Sequence, residues 1–201
     1  MKHLSIFFVL SAICALAQMP ETPGTYVAKE YVTAHNGVRH IVYQQRFQGV
    51  EVFGAAWVVN LDSDGKLLNS GGKLYADPGT IALPSQTTAF EAVRAAVRAV
   101  NPKLAQRYAP LLSAKAGTKG PRFAAASLGD DIDAELVWYP IRGALQPAWM
   151  FQITDEDGVN SYTTIVESAT QAVLQKLPTT YFFQAAKGLV FEREKIGRAH
   201  V

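Results

Sequence analysis

The stretch HIVYQQRFQGVEVFGAAWVVNLDSDGKLL, residues 40–68, decides the fold. Over residues 40–48, Ile41, Tyr43, Gln45 and Phe47 alternate with Val42, Gln44, Arg46 and Gln48, the period of two that a half-buried strand requires. One face is apolar except at Gln45. An amide there must be hydrogen-bonded or cost stability, so Gln45 reads as a buried group tying strand to loop in preference to a ligand-binding group. A second strand follows the turn at Gly49. Over residues 52–61 the bulky Phe53, Trp57, Val59 and Leu61 fall on one parity, with Gly54 and Ala56 on the other. Asp62-Ser63-Asp64-Gly65 then supplies Asp-Gly turn chemistry, and residues 66–68 begin a return strand. The pattern predicts a meander of three strands, or four if residues 73–75 pair as well.

Working outward, Asp77-Pro78-Gly79 and Leu83-Pro84-Ser85 punctuate the chain and mark a linker. Beyond it Thr88 and Glu91 have capping-box spacing, and Phe90, Val93, Val97 and Val100 recur at helical intervals until Pro102 closes the segment. A weaker helical pattern covers residues 104–112, and residues 113–131, with Gly117, Gly120, Pro121 and Gly129, read as a long loop. Strand patterns return at residues 135–141, 147–154, 161–167 and 171–177, with a tight turn at Asp157-Gly158 and an edge position or bulge at Pro140. Strands, a helix, then strands make an α+β protein: an antiparallel β meander followed by a helix packed on a second antiparallel sheet.

The ends carry different information. Lys2 and His3 precede an apolar stretch over residues 4–16, and Ala15-Leu16-Ala17 puts small residues at the cleavage positions. This is the order of a secretory signal over residues 1–17, cut between Ala17 and Gln18. A lipoprotein signal at Cys14 is disfavoured by the bulky Ile13 before it. Lys195-Ile196-Gly197-Arg198-Ala199-His200-Val201 coincides with an in-frame reading of a common sequencing adapter, so residues 195–201 are expected to be an artefact and the natural protein to continue past Glu194.

The whole chain of 201 residues has 19 basic and 17 acidic residues, 49% hydrophobic residues and a mean hydropathy of +0.05, which excludes disorder, collagen and, with one Cys, a disulfide scaffold. Lys2, Lys195 and Arg198 lie in the two ends, so 16 basic residues face 17 acidic ones between them. With the basic residues scattered and no run of four or more, no nucleic-acid partner is expected. No stretch after the signal is apolar and long enough to cross a membrane, so the mature chain is expected to be secreted and free of cysteine.

Catalytic groups are scarce. His3 and His200 lie in the two ends; His35 and His40, five residues apart at the start of a strand, fall on opposite faces. His-Glu-x-x-His, Gly-x-Ser-x-Gly, the phosphate-binding loop and the dinucleotide glycine fingerprint are missing. Asp62 with Asp64, and Asp155-Glu156-Asp157, sit beside glycines between strands and read as hairpin turns in preference to calcium loops. Asp130, Asp131, Asp133 and Glu135 read as a solvated loop. Arg94 and Arg98, one turn apart, have the spacing to grip a carboxylate but read first as an exposed helix face supported by Glu91. No catalytic residue, metal ligand or cofactor is assigned to this chain.

The segment His40 to Ala55, with Gln45 five residues on, Gly49, and then Val52-Phe53-Gly54-Ala55, resembles the propeptides of fungalysin/thermolysin metallopeptidases. The hydrophobic strand to Leu61, Asp64-Gly65 and Ser70-Gly71-Gly72 continue the likeness in register. Leu136-Val137-Trp138-Tyr139-Pro140, Ala148-Trp149-Met150-Phe151 and the hairpin Glu167-Ser168-Ala169-Thr170-Gln171 resemble the adjoining PepSY-type half, with Gln171 where that pattern has glycine. Gly188-Leu189-Val190-Phe191-Glu192 resembles the exit of such a propeptide. The resemblance implies a propeptide segment over residues 18–80, a PepSY-like half over 84–178 and an exit linker over 179–194, truncated before a peptidase domain that would carry the zinc. It further implies a partner in cis, the cognate metallopeptidase domain, which the propeptide helps to fold and keeps inactive. Two other readings stay open: a freestanding secreted inhibitor or binding module, and a hydrolase using His40 with an acidic partner.

Overall fold

The computed structural model describes residues 21–179 apart from 116, 118, 126 and 127. The expected signal with its cleavage point at Ala17 and Gln18, residues 180–194 of the expected exit linker and the adapter-like end lie outside the described residues.

Strands β1 (Thr25–Val32), β2 (Arg39–Phe47), β3 (Val50–Leu61) and β4 (Leu67–Lys73) pair antiparallel in chain order. Phe47 pairs with Val50, leaving Gln48-Gly49 as a two-residue turn with φ of 50° and 78°. Such mirror-image turns match the twist of the strands, and Gly49 adopts the left-handed conformation without a Cβ clash. The fourth strand of the meander is β1, not residues 73–75, because β4 ends at Lys73. Its sequence, TYVAKEYV, hides the strand. A register shift between Val27 and Lys29 interrupts its period of two, and it lies at a sheet edge.

The parity expected for the second strand does not hold through β3. Gln44 pairs with Ala56 but Arg46 with Glu51, so Gln45 alone stands opposite Val52, Phe53, Gly54 and Ala55. Gly54, at φ 71°, supplies the left-handed step of this wide bulge. Val52 and Ala55 therefore pack with Phe47, Trp138 and Leu145. Phe53 instead enters a different cluster with Val137, Ala148 and Ile165, its ring 5.6 Å from that of Tyr139. Val59 and Leu61 pack with Ile41, Tyr43 and Trp57. One extended strand thus serves three clusters.

Helix α1 (Thr87–Val100) buries Ala89, Ala92, Val93, Ala96 and Val97, and its small residues let the axis lie close to the sheet. The expected capping box is not formed. Gln86 is the N-cap without a side-chain bond; Thr88 lies inside the helix, where its hydroxyl donates to Ser85 O at 2.8 Å and accepts from Trp149 Nε1 at 2.8 Å. Pro102 ends α1 as expected and opens α2 (Pro102–Ala105), capped by the Asn101 side chain on Leu104 N. This single turn replaces the expected helix over 104–112. The loop that follows contains a two-residue strand, β5 (Arg122–Phe123), whose Phe123 meets Phe90 edge-on at 5.0 Å.

Strands β6 (Ile132–Ile141), β7 (Ala144–Thr154), β8 (Ser161–Glu167) and β9 (Val173–Pro178) form an antiparallel run, and α1 lies against β7, β8 and β9. Both β6 and β7 start three residues earlier than expected, because the buried Ile132 and Ala134 alternate with Asp133 and Glu135, and Arg142-Gly143 forms a second two-residue turn. The two antiparallel groups are not separate sheets. Val52 pairs parallel with Trp138, which makes one mixed sheet in the order β1-β2-β3-β6-β7-β8-β9, with β4 on β3 and β5 on β6. Among the described residues no helix is long and apolar enough to cross a membrane.

Candidate functional site

The bulge in β3 is held open by Gln45, which is fully buried. Its Nε2 donates to Pro23 O at 3.1 Å and Tyr75 O at 2.9 Å, and its Oε1 accepts from Tyr75 N at 2.7 Å. The amide therefore joins the entry to β1 and the exit from β4 at the point where β3 changes face. Tyr75 and Ile81 pack on the Phe47, Val52 and Trp138 cluster, and Gln48 Nε2 donates to Gly79 O at 3.0 Å, so the punctuated segment after β4 is bound to the sheet.

Beside this bulge lies a charged network. Tyr26 Oη donates to both Glu51 carboxylate oxygens at 2.7 Å, and Arg46 forms an ion pair with the same group. Burial alone would raise the Glu51 carboxyl; the hydrogen bonds from Arg46 and Tyr26 outweigh it and hold the group below the usual carboxylate range. Across a cleft of about 490 Å³, Lys119 pairs with Glu135 at 2.7 Å, and Trp149 contributes to the wall. The charges lining the cleft are mutually neutralised.

His40 sits at the other end of β2. Its Nδ1 is 2.7 Å from Asn60 Oδ1, its Nε2 is 2.7 Å from Thr33 Oγ1, and Tyr31 stacks on the ring at 4.7 Å. Asn60 Nδ2 donates onward to Asn69 Oδ1, so its oxygen faces the histidine and Nδ1 carries the proton, a ladder that ties β1 to β4 through β2 and β3. His35 lies in the β1–β2 turn and not on a strand face. Among the described residues the ring nitrogens of His40 meet Asn60 and Thr33 and no carboxylate, so the acidic partner named in the hydrolase reading is not found there.

The remaining expected positions are turn residues. Asp64 N and Lys66 N donate to Asp62 Oδ1, and Gly65 takes φ 82°. Asp155 accepts from Val159 N, Asn160 N and Asn160 Nδ2, and the Asn160 side chain is the main cause of its lowered pKa. Asp131, expected in a solvated loop, instead binds Ser113 Oγ at 2.5 Å and Ala125 N at 2.9 Å, which lowers its pKa and anchors the long loop. Asp133 stands 3.5 Å from Arg122. Burial pushes the neighbouring Tyr108 hydroxyl up to about 12. Among the described residues no three His, Cys, Asp or Glu side chains come together as a metal site.

Of the residues expected as a motif, Gln45 stands opposite Val52, Phe53 and Gly54 at the bulge and Gly49 lies in the adjoining turn, while His40, Asp64 and Gly65 lie towards the opposite end of the same strands. The unit they build is bounded by Gly24 and the residue after Lys73.

Residues 24–74 match the Fungalysin/Thermolysin Propeptide Motif. The matched residues therefore coincide with strands β1 to β4. Sequence reasoning missed two parts of it, strand β1 and the Tyr26–Glu51–Arg46 network, because the strand pattern of β1 is interrupted. The signal available was Thr25, Tyr26 and Val27 directly after Pro23-Gly24, a turn pair opening a run of strand formers. No curated protein matches the chain.

Proposed function

We propose that this chain is the propeptide region of a secreted zinc metalloendopeptidase, where it assists the folding of the peptidase domain and blocks its cleft until the junction is cut. The observation that carries the reading is the propeptide motif over residues 24–74, coextensive with the four-stranded unit. The PepSY-like assignment of residues 84–178 and the exit linker over 179–194 belong to this reading, as do secretion and a zinc held by the peptidase domain in cis.

The physical support is preorganisation. Gln45 and the Trp138 cluster hold the motif unit and the second antiparallel group in one arrangement. A surface already ordered loses little entropy on docking a partly folded domain, and whatever binds the native form in preference to the unfolded one shifts the folding equilibrium towards it. The chain need supply no reacting group for either task.

The test is refolding of the peptidase domain encoded downstream in the same gene. Diluted from denaturant with this chain added in trans, the domain is expected to regain activity only after the chain is digested away, and to regain far less without it. A reading frame without a zinc peptidase beyond residue 194, or a domain that refolds and acts equally well with the chain present, would overturn the proposal.

A further inference from the structure

Strands β1, β9 and β4 each present an outer edge with no further strand on it. Such an edge carries unpaired N–H and C=O groups and templates pairing with another chain unless it is blocked. The edge of β1 is interrupted by the register shift between Val27 and Lys29 and carries the charges of Lys29 and Glu30; that of β9 carries Lys176 and Pro178. β4 has no such guard. Leu67-Leu68-Asn69-Ser70-Gly71-Gly72 lacks charge and proline, and every residue of the strand is exposed. Its register shift lies beside the turn, and from Asn69 to Lys73 it pairs with β3 without interruption.

Alternation across the antiparallel ladder fixes which backbone groups face outward. Arg46 N donates to Gly24 O, so the even-numbered residues of β2 face β1, and Ile41 and Tyr43 exchange bonds with Val59 and Trp57 on β3. Val58 and Asn60 therefore bond Gly71 and Asn69, and the N–H and C=O groups of Ser70 and Gly72 point away from β3. Among the described residues these outward groups have no hydrogen-bond partner. The two glycines differ in what requires them. A Cβ at Gly72 would collide with Ala56 O, so β3 itself demands that glycine. A Cβ at Gly71 would meet nothing within 4 Å, and Gly71 has no positive φ. Glycine weakens a strand interior, and where the strand does not bulge its usual reason is the close approach of another backbone.

We infer that β4 pairs with β4 of a second copy of this chain, antiparallel about a two-fold axis at Gly71. Ser70 and Gly72 of one copy then exchange N–H···O=C bonds with Gly72 and Ser70 of the other, which satisfies every outward group of this stretch. The spacing is self-complementary, as an isologous contact requires. Gly71 meets its own counterpart in a pair that exchanges no bonds, where Cα atoms approach to about 4.5 Å and side chains are most crowded. Asn69 lies opposite Lys73, so no like charges meet across the new ladder. A strand pair without a large apolar core is a small interface, and the dimer is therefore weak, with a Kd of about 10–100 µM. This inference stands on the strand edge and does not depend on the propeptide reading.

Sedimentation equilibrium of the full chain at low salt, over about 5–500 µM, tests it. The native chain is expected to shift from monomer to dimer across that range. Gly71→Lys and Gly71→Glu each set like charges face to face at the axis and are expected to weaken association by about tenfold or more, whereas an equimolar mixture of the two regains it as a heterodimer. Ser70→Pro removes an outward N–H that makes no bond to β3 and is expected to weaken association by about tenfold. The space around Gly71 is open, so circular dichroism of its two variants is expected to match the native protein. A native chain that stays monomeric at about 500 µM would overturn the inference and leave a strand of a different polypeptide as the occupant. Association by Gly71→Lys alone as strong as the native, or a mixture of the charged variants no more associated than either one, would overturn it equally.

Discussion

Gln45 engages both its amide donor and its carbonyl with backbone groups on two other segments, and it does so without any exposure to solvent. Gln45→Ala would leave Pro23 O, Tyr75 O and Tyr75 N without these bonds and open a cavity at the bulge. Unsatisfied buried groups cost about 1–3 kcal/mol each, partly relieved by water, so a loss of about 3 kcal/mol in urea unfolding is expected. An unchanged midpoint would show that the amide is dispensable. The residue type and its place on an apolar face were enough to read a buried, bonded amide. Its partners were not legible, because Pro23 and Tyr75 approach it only once β1 and the segment after β4 are in place.

At the scale of elements, the turns show the clearest agreement between chemistry and conformation. Asp-Gly pairs at Asp64-Gly65 and Asp157-Gly158 carry left-handed glycines at φ 82° and 69° as the sequence implies. What sequence spacing did not reveal is that Asp155 and Asp131 organise whole loops through backbone and side-chain donors. Both carboxyls have folded-state pKa values below their unfolded ones. Their contribution to stability is therefore complete above about pH 4, the unfolded value, and is lost as pH falls through the folded values. Amide-exchange protection at Ala125 and Asn160 is expected to fall on acidification from about pH 6 to about pH 3, and Asp155→Asn is expected to flatten that dependence at Asn160 alone. Equal pH dependence in the variant would assign the effect elsewhere. The helix was legible in its apolar spacing over Phe90, Val93, Val97 and Val100, but not in its start, because Trp149 takes the Thr88 hydroxyl that a capping box would use.

For the whole molecule, the decisive contact is Trp138. It is fully buried, pairs through its backbone with Val52, and donates from Nε1 to Phe47 O at 2.9 Å. Trp138→Phe removes that donor and part of the cluster with Phe47, Val52, Ala55 and Leu145, a loss expected to be about 2–3 kcal/mol. Trp57 lies in the motif unit and Trp149 in the second group, so fluorotryptophan NMR during urea titration reads each separately. Their midpoints are expected to coincide in the native protein and to separate in the variant; coincident, unshifted midpoints would show that the two groups are coupled by other contacts.

The sequence by itself determined the local alternations, the helix, the turn positions and the resemblance of residues 40–55 to a propeptide, since each rests on residues close together in the chain. Only the tertiary structure decided that Phe53 leaves the face of Trp57, that β1 completes the meander, and that two antiparallel groups share one sheet through Val52 and Trp138. The reason is the bulge at Gln45. A change of strand face depends on an amide satisfied by groups more than twenty residues away on either side, and no periodicity within the strand records it.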